Sequence, residues 1–238
     1  MSSTPDSDAA DFWERRIATH GLDAIRDCQA MRRIEPTERR FIFLRHGETD
    51  GNLQRIYQSA EISLNASGRA QAEYAASLLK GAGVGRIVAS DMQRAWETAS
   101  IVGDALKMRV QAHTGLRERW FGDFIGTSSV NLNWRVAPPN GESANEFVER
   151  ALPAFEEVLS LSEGAQYPAT EGGGNARTLV IAHGGNLYAL AFSLGVELKL
   201  SMIQNATPLE FTRIGDAWRV SELGSDWEQP PRHRNLGW

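Results

Sequence analysis

Short apolar runs alternate with longer amphipathic stretches along this chain. Phe41-Ile42-Phe43-Leu44, Arg86 to Ala89 and Thr178 to Ala182 are nearly continuous in their hydrophobicity, as expected of strands covered on both faces. Arg109 to His113 reads as a further strand. Between these runs the apolar period lengthens to that of a helix. Asn65 is placed to cap a helix over 66–80 with Ala70, Tyr74 and Leu78 inward, ended by Gly81, Gly83 and Gly85. Ser90 is placed to cap a helix from Asp91 to about Leu106. Ser143 and Glu146 form a capping box opening a helix with Phe147, Ala151, Phe155, Val158 and Leu159 inward, kinked at Pro153. Another helix follows Ala182 as far as about Leu194. Pro208–Ile214 and Ala217–Glu222 pair as a hairpin around Gly215-Asp216. Residues 115–141 are irregular, and 163–177 read as a flexible loop. No repeat is visible.

Ahead of this pattern, residues 1–10 read as a disordered tip and 11–34 as helix, with Asp11 capping and Glu14 three positions on. Trp13, Ile17, Ala24, Cys28 and Met31 make an apolar stripe, and Gly21 divides it. The stripe packs either on the main domain or on a second copy, which leaves a homodimer open. The chain therefore divides into an N-terminal tail and helical arm (1–39) and a main domain (40–238). Strands alternating with helices predict an α/β fold, a three-layer helix–sheet–helix arrangement around a mainly parallel sheet.

Composition narrows the function. Of 238 residues, 42% are hydrophobic, enough for a sizeable core. A net charge of −5 argues against a nucleic-acid surface. The 25 basic residues include only three lysines, Lys80, Lys107 and Lys199. That bias suits phosphate or carboxylate recognition, and a GC-rich genome would also produce it. Cys28 is the sole cysteine, so intrachain disulfides and multi-cysteine metal sites are out. No stretch predicts a membrane span or a secretory signal, and the expectation is a cytoplasmic protein.

The chemistry-bearing residues sit at strand ends. The first strand runs into Arg45-His46-Gly47-Glu48-Thr49, the second into Ser90 to Arg94, and the fourth into His183-Gly184-Gly185. Glu118 lies five residues beyond the third. The carboxyl ends of strands are where open α/β sheets place their sites. Two arginines beside two histidines select an anion, and arginine forks suit phosphoryl oxygens. An imidazole among arginines is held neutral, hence nucleophilic, and a carboxylic acid beside phosphate keeps its proton. These are the ingredients of phosphoryl transfer through a phosphohistidine.

Arg45-His46-Gly47-Glu48-Thr49 with Asn52 resembles the opening signature of the histidine phosphatase superfamily, the phosphoglycerate-mutase-like fold. The resemblance continues through Arg55, Gln58, Leu64-Asn65, Gly68, Gln71-Ala72, Ser90, Arg94-Ala95, Thr98-Ala99 and Leu116-Arg117-Glu118. It runs on through Phe121-Gly122, Gly126, Gly141-Glu142-Ser143 and His183-Gly184-Gly185. It implies His46 as nucleophile, Glu118 as proton donor, and Arg45, Arg94 and His183 around the phosphoryl oxygens, with Asn52 in support. Gln58 and Gly184 join the expected substrate-binding set. Gly51 stands where many relatives have tryptophan and Ser59 where many have glycine; both bear on the pocket rim. Residues 1–39 have no counterpart in the family's core.

The expected activity is metal-independent hydrolysis of a small organic phosphate ester, with no cofactor. The alternatives are a phosphoglycerate-type mutase and a non-catalytic phospho-ligand-binding protein. Against the mutase, Phe121-Gly122 is followed by no lysine before Lys199; against the binding protein, neither the histidine nor an arginine of the motif is missing. Asp123 and Glu142 are alternative acids. Glu48, His113 and His233 are read as structural, and His20 lies at the helix break. No HExxH set exists, and Gly172-Gly173-Gly174 lacks the Lys-Ser/Thr of a nucleotide loop. Residues 119–140, with Trp120, Phe121, Trp134, Pro138 and Pro139, and the 55–63 loop are expected to form the rim.

Overall fold

The computed structural model describes residues 5–160 and 176–223. In chain order the elements are α1 (Pro5–His20), α2 (Asp23–Arg26), β1 (Arg40–Arg45), α3 (Asp50–Gln54), α4 (Ala66–Leu79), β2 (Val84–Ala89) and α5 (Gln93–Leu106). There follow β3 (Val110–Ala112), α6 (Ala144–Val158), β4 (Arg177–Ala182), α7 (Gly184–Leu194), β5 (Pro208–Ile214) and β6 (Ala217–Glu222). One six-stranded sheet has the order β3-β2-β4-β1-β5-β6. β3, β2, β4 and β1 pair in parallel, and β5 and β6 add an antiparallel edge.

The continuous apolar runs have a direct cause: both sheet faces are covered. Phe41 and Phe43 enter one core with α6 and α7, whereas Ile42 and Leu44 enter the other beneath α4 and α5. Val88 and Val180 divide from Ile87, Leu179 and Ile181 in the same way. Alternate side chains of one strand thus feed different layers.

Several expected boundaries move. The first helix begins at Pro5, so residues 5–10 are helical where a disordered tip was expected, and Asp11 lies inside the helix instead of capping it. The helix stops at His20 because Gly21 adopts φ +64°, and a Cβ there would come 2.1 Å from Asn133 Oδ1. Beyond the single turn of α2, residues 27–39 leave the helical path. Their backbone bonds the main domain instead: Ala30 N–H to Asn145 Oδ1 (2.9 Å), Ile34 N–H to Ser193 Oγ (3.0 Å) and Glu38 N–H to the Leu159 carbonyl (3.2 Å). Tertiary partners have outbid local helix formation. Of the stripe, Trp13 and Ile17 are buried in the core shared with α6 and α7, together with Leu22, Ile25 and Ile34, while Ala24, Cys28 and Met31 pack against it half-buried.

Helix α4 buries Gly68, Ala72, Ala75, Ala76 and Leu79 instead of Ala70, Tyr74 and Leu78. Its inner face is made of small residues that allow close approach to α5 and the sheet, which a search for large apolar side chains passes over. α5 opens at Gln93, after Met92, and Ser90 does not cap it. β2 starts two residues early, and α6 runs through Pro153, which lies on its exposed side. Most of the expected 163–177 loop, as well as His233, lies outside the described residues. No helix among those described is long and apolar enough to cross a membrane.

Candidate active site

The parallel pairing of β1 with β4 brings Arg45 level with Ala182 and continues in a bond from His46 N–H to the Ala182 carbonyl (3.0 Å). His46 and His183 therefore emerge side by side, with ring centroids 5.2 Å apart. The turn after His46 is pinned by packing. Gly47 N–H donates to Thr98 Oγ1 (3.0 Å). A Cβ on Gly68 would lie 2.0 Å from the Glu48 carbonyl oxygen, so the start of α4 sits against the turn only because it is glycine. Thr49 and Asn52 then form a capping box that opens α3, a short helix the apolar pattern had not signalled.

His46 is buried and its protons are assigned by its partners. Nδ1 lies 2.7 Å from the Gly47 carbonyl, which can only accept, so Nδ1 carries the hydrogen. The Nε2 lone pair accepts from Arg94 Nε at 3.2 Å. Burial first, then Arg94 and Arg45, holds the His46 pKa well below its ordinary value. His183 is lowered for the same reason, burial first and then Arg94. Its Nε2 lies 2.9 Å from Ser90 Oγ, while Nδ1 has no hydrogen-bond partner among the described residues. Arg45 donates through Nη1 to the Ile203 carbonyl (2.7 Å) and has an unpartnered buried Nε. Arg94, fully buried, also donates to the Ser59 carbonyl (2.9 Å), and burial brings its pKa down to about 10.

Glu118 is buried across the same pocket. Its oxygens accept from Gly185 N–H (3.0 Å) and Arg119 N–H (2.9 Å). Burial nonetheless raises its pKa above the ordinary carboxylate value, against the pull of those bonds and of Arg94 and Arg45. Of the alternative acids, Glu142 is forked by Arg150 (2.8 Å to each oxygen), and exposed Asp123 holds Asn140. Glu48 accepts from Asn65, and His113 caps a turn, both structural.

Of the expected residues, His46, Asn52, Gln58, Arg94 and Glu118 line one pocket with Ile56, Tyr57, Phe121, Ser129 and Leu132. Arg45, His183 and Gly184 do not line it; His183 stands against His46, and Gly184 opens α7. Asn52 Oδ1 accepts from Thr49 N–H (3.2 Å), and Gln58 Oε1 from the Thr49 hydroxyl (2.6 Å). Trp120, Trp134, Pro138 and Pro139 are off the pocket wall; Trp134 is buried and Trp120 faces solvent. An outer cavity of about 450 Å³ shares Ile56, Tyr57 and Gln58 with the pocket and includes Gly51 and Ser59. Among the described residues no three His, Cys, Asp or Glu side chains are grouped to hold a metal ion.

Three contributors were not read as part of the site from the sequence. Asn205 donates to the His46 carbonyl (2.8 Å), and Ser90 orients His183. Arg150 donates to the carbonyls of Gly115 and Arg117 (both 3.0 Å) and Glu118 (3.3 Å), bracing the segment that carries Glu118. Only Ser90 had a signal, its place at a strand end and in the family motif.

Residues 41–225 match the sequence profile of the histidine phosphatase superfamily (branch 1). The chain is 32% identical over 212 residues to a glucosyl-3-phosphoglycerate phosphatase of Mycobacterium tuberculosis, covering 80% of this chain and 90% of that one. It is 32% identical over 178 residues to a 2,3-bisphosphoglycerate-dependent phosphoglycerate mutase of Methylocella silvestris, covering 66% and 82%. A solved mycobacterial glucosyl-3-phosphoglycerate phosphatase with VO3 superposes with a TM-score of 0.64 at 29% identity, covering 77% of this chain and 97% of that one. On the sequence match and the shared fold together, the chain belongs to the histidine phosphatase superfamily.

Proposed function

We propose that the chain is a metal-independent phosphomonoester hydrolase working through a phosphohistidine on a small organic phosphate. The observation that carries this reading is the state of His46: a buried neutral imidazole with its Nε2 lone pair directed at Arg94. Arg45 and Arg94 neutralise the phosphoryl oxygens, neutral His183 offers them a hydrogen bond, and Asn52 supports them. His46 Nε2 attacks phosphorus, the ester P–O bond breaks, and Glu118 gives its proton to the departing alkoxide. Water then attacks phosphorus, its proton passes to Glu118, the P–N bond breaks, and phosphate leaves.

Hydrolysis is favoured over phosphate return to a second substrate position because the segment after Phe121-Gly122 carries no lysine. The outer cavity gives room for an organic group larger than glycerate, as in the compound for which the mycobacterial relative is named. The test is phosphate release from a panel of small phosphomonoesters in excess EDTA. Release that persists in chelator supports the reading. No release from any ester, or loss in EDTA with recovery on adding a divalent ion, contradicts it.

A further inference from the structure

The N-terminal arm lies ahead of the family match, yet it reaches the pocket. Ser129 and Leu132 line the wall beside His46 and Glu118. One end of their segment is held by the main domain: Ser129 N–H donates to the Arg55 carbonyl (2.6 Å), and Ile56 bridges Ser128. The other end is held by the arm. Trp134 N–H donates to the His20 carbonyl (2.9 Å), and Arg135 donates through Nε to Asp23 Oδ2 (3.0 Å) with Nη2 in ion-pair contact with Oδ1 (2.7 Å). Gly21 leaves room for Asn133, which a Cβ would strike.

From there the path runs inward. The Trp134 ring packs so closely on Gly185 that a Cβ there would lie 2.8 Å from it and 2.2 Å from Glu118 Oε1. Gly185 is the residue whose N–H holds Glu118. The arm is itself anchored, since Arg16 Nε donates to Tyr188 Oη on α7 at 2.9 Å.

We propose that the arm is a positioning element of the active site: through His20 and Asp23 it fixes residues 133–135, and so sets the pocket wall that receives the leaving group. This rests on the reading of the pocket as a phosphate-ester site. None of the contacts that hold residues 133–135 is made to Arg45, His46, Arg94 or His183, so through them the arm acts on the ester's organic part.

The test is calorimetric binding of inorganic phosphate and of benzylphosphonate, a non-hydrolysable ester mimic, to the full chain. The variants are Asp23→Arg, Arg135→Asp, the combined swap, and Gly21→Ala, each checked by melting. A half-exposed ion pair changes an equilibrium by up to about fivefold. Each single reversal should weaken benzylphosphonate by about that factor and leave phosphate within about twofold, and the swap should restore it. Gly21→Ala should act in the same direction without touching the ion pair. KM for p-nitrophenyl phosphate should rise with kcat nearly unchanged. If folded variants bind both ligands as the wild type does, or lose both equally, the arm is only scaffold and the inference is overturned while the site reading stands. If the wild type binds neither ligand, the site reading fails and the inference falls with it.

Discussion

Arg94 Nε donates to His46 Nε2 across 3.2 Å, while Nδ1 of the same ring is tied to the Gly47 carbonyl. The guanidinium thus does two jobs before any ligand arrives. It fixes the side on which the lone pair lies, where the proposed mechanism places the phosphoryl group, and its charge, added to burial, favours the unprotonated ring. An ester's phosphoryl group would take over the arginine and meet the lone pair it had held.

The first consequence is a pH window. The proposed mechanism needs His46 neutral, and its pKa is held well below the ordinary 6.5; it needs Glu118 protonated, and burial raises its pKa above the ordinary 4.5. Activity should be lost at low pH as His46 protonates and at high pH as Glu118 ionises. Ester phosphates also titrate near pH 6, so the informative comparison keeps one substrate. The alkaline limb assigned to Glu118 should disappear from the kcat/KM profile of Glu118→Gln. An unchanged alkaline limb would move the acid role to another group.

Leaving-group dependence isolates the same proton. Glu118→Gln should slow alkyl phosphates by about 10²–10⁴ and p-nitrophenyl phosphate far less, because nitrophenolate leaves without protonation. Equal losses on both would contradict the assignment.

Arg150 braces the Glu118 segment through three carbonyls and the Glu142 fork. Lysine cannot reproduce that planar pattern. Arg150→Lys should cost roughly 1–3 kcal/mol in urea unfolding and should slow alkyl phosphates more than p-nitrophenyl phosphate. A variant of wild-type stability and leaving-group behaviour would show that the brace is dispensable.

Acid should destabilise the fold by way of its histidines. His20 is lowered to about 4, mainly by burial and Arg16, and His46 and His183 lie well below 6.5. A group with a depressed folded pKa gives its full contribution above the unfolded value and loses it as pH falls through the folded one. Stability should therefore fall between about pH 6.5 and 4, with Glu118 and Glu38, both raised, opposing the trend. Urea midpoints across that range should show a shallower fall for His20→Asn than for wild type. Parallel slopes would remove His20 from the account.

The sheet was legible because strands covered on both faces leave an uninterrupted apolar signature, and the family motif supplied the residues at their ends. The arm was half legible. Trp13 and Ile17 marked its buried side, but the path after His20 depends on Asn145, Ser193 and Leu159, more than a hundred residues away. α3 hid in a polar stretch, although Thr49 and Asn52 have cap spacing. Both rim segments were legible, since Ile56, Tyr57 and Gln58 of the 55–63 loop and Phe121, Ser129 and Leu132 of 119–140 line the pocket, but not which of their side chains do so: Trp134 is core and Trp120 faces solvent.

The central claim is covalent chemistry at His46, and rapid acid-free quench of the enzyme with ³²P-labelled ester tests it most directly. The account predicts label on the wild-type protein that is acid-labile and base-stable, maps to His46, and is absent from His46→Ala, which still binds vanadate through its arginines. Label on a serine or aspartate, or hydrolysis undiminished in His46→Ala, would contradict it.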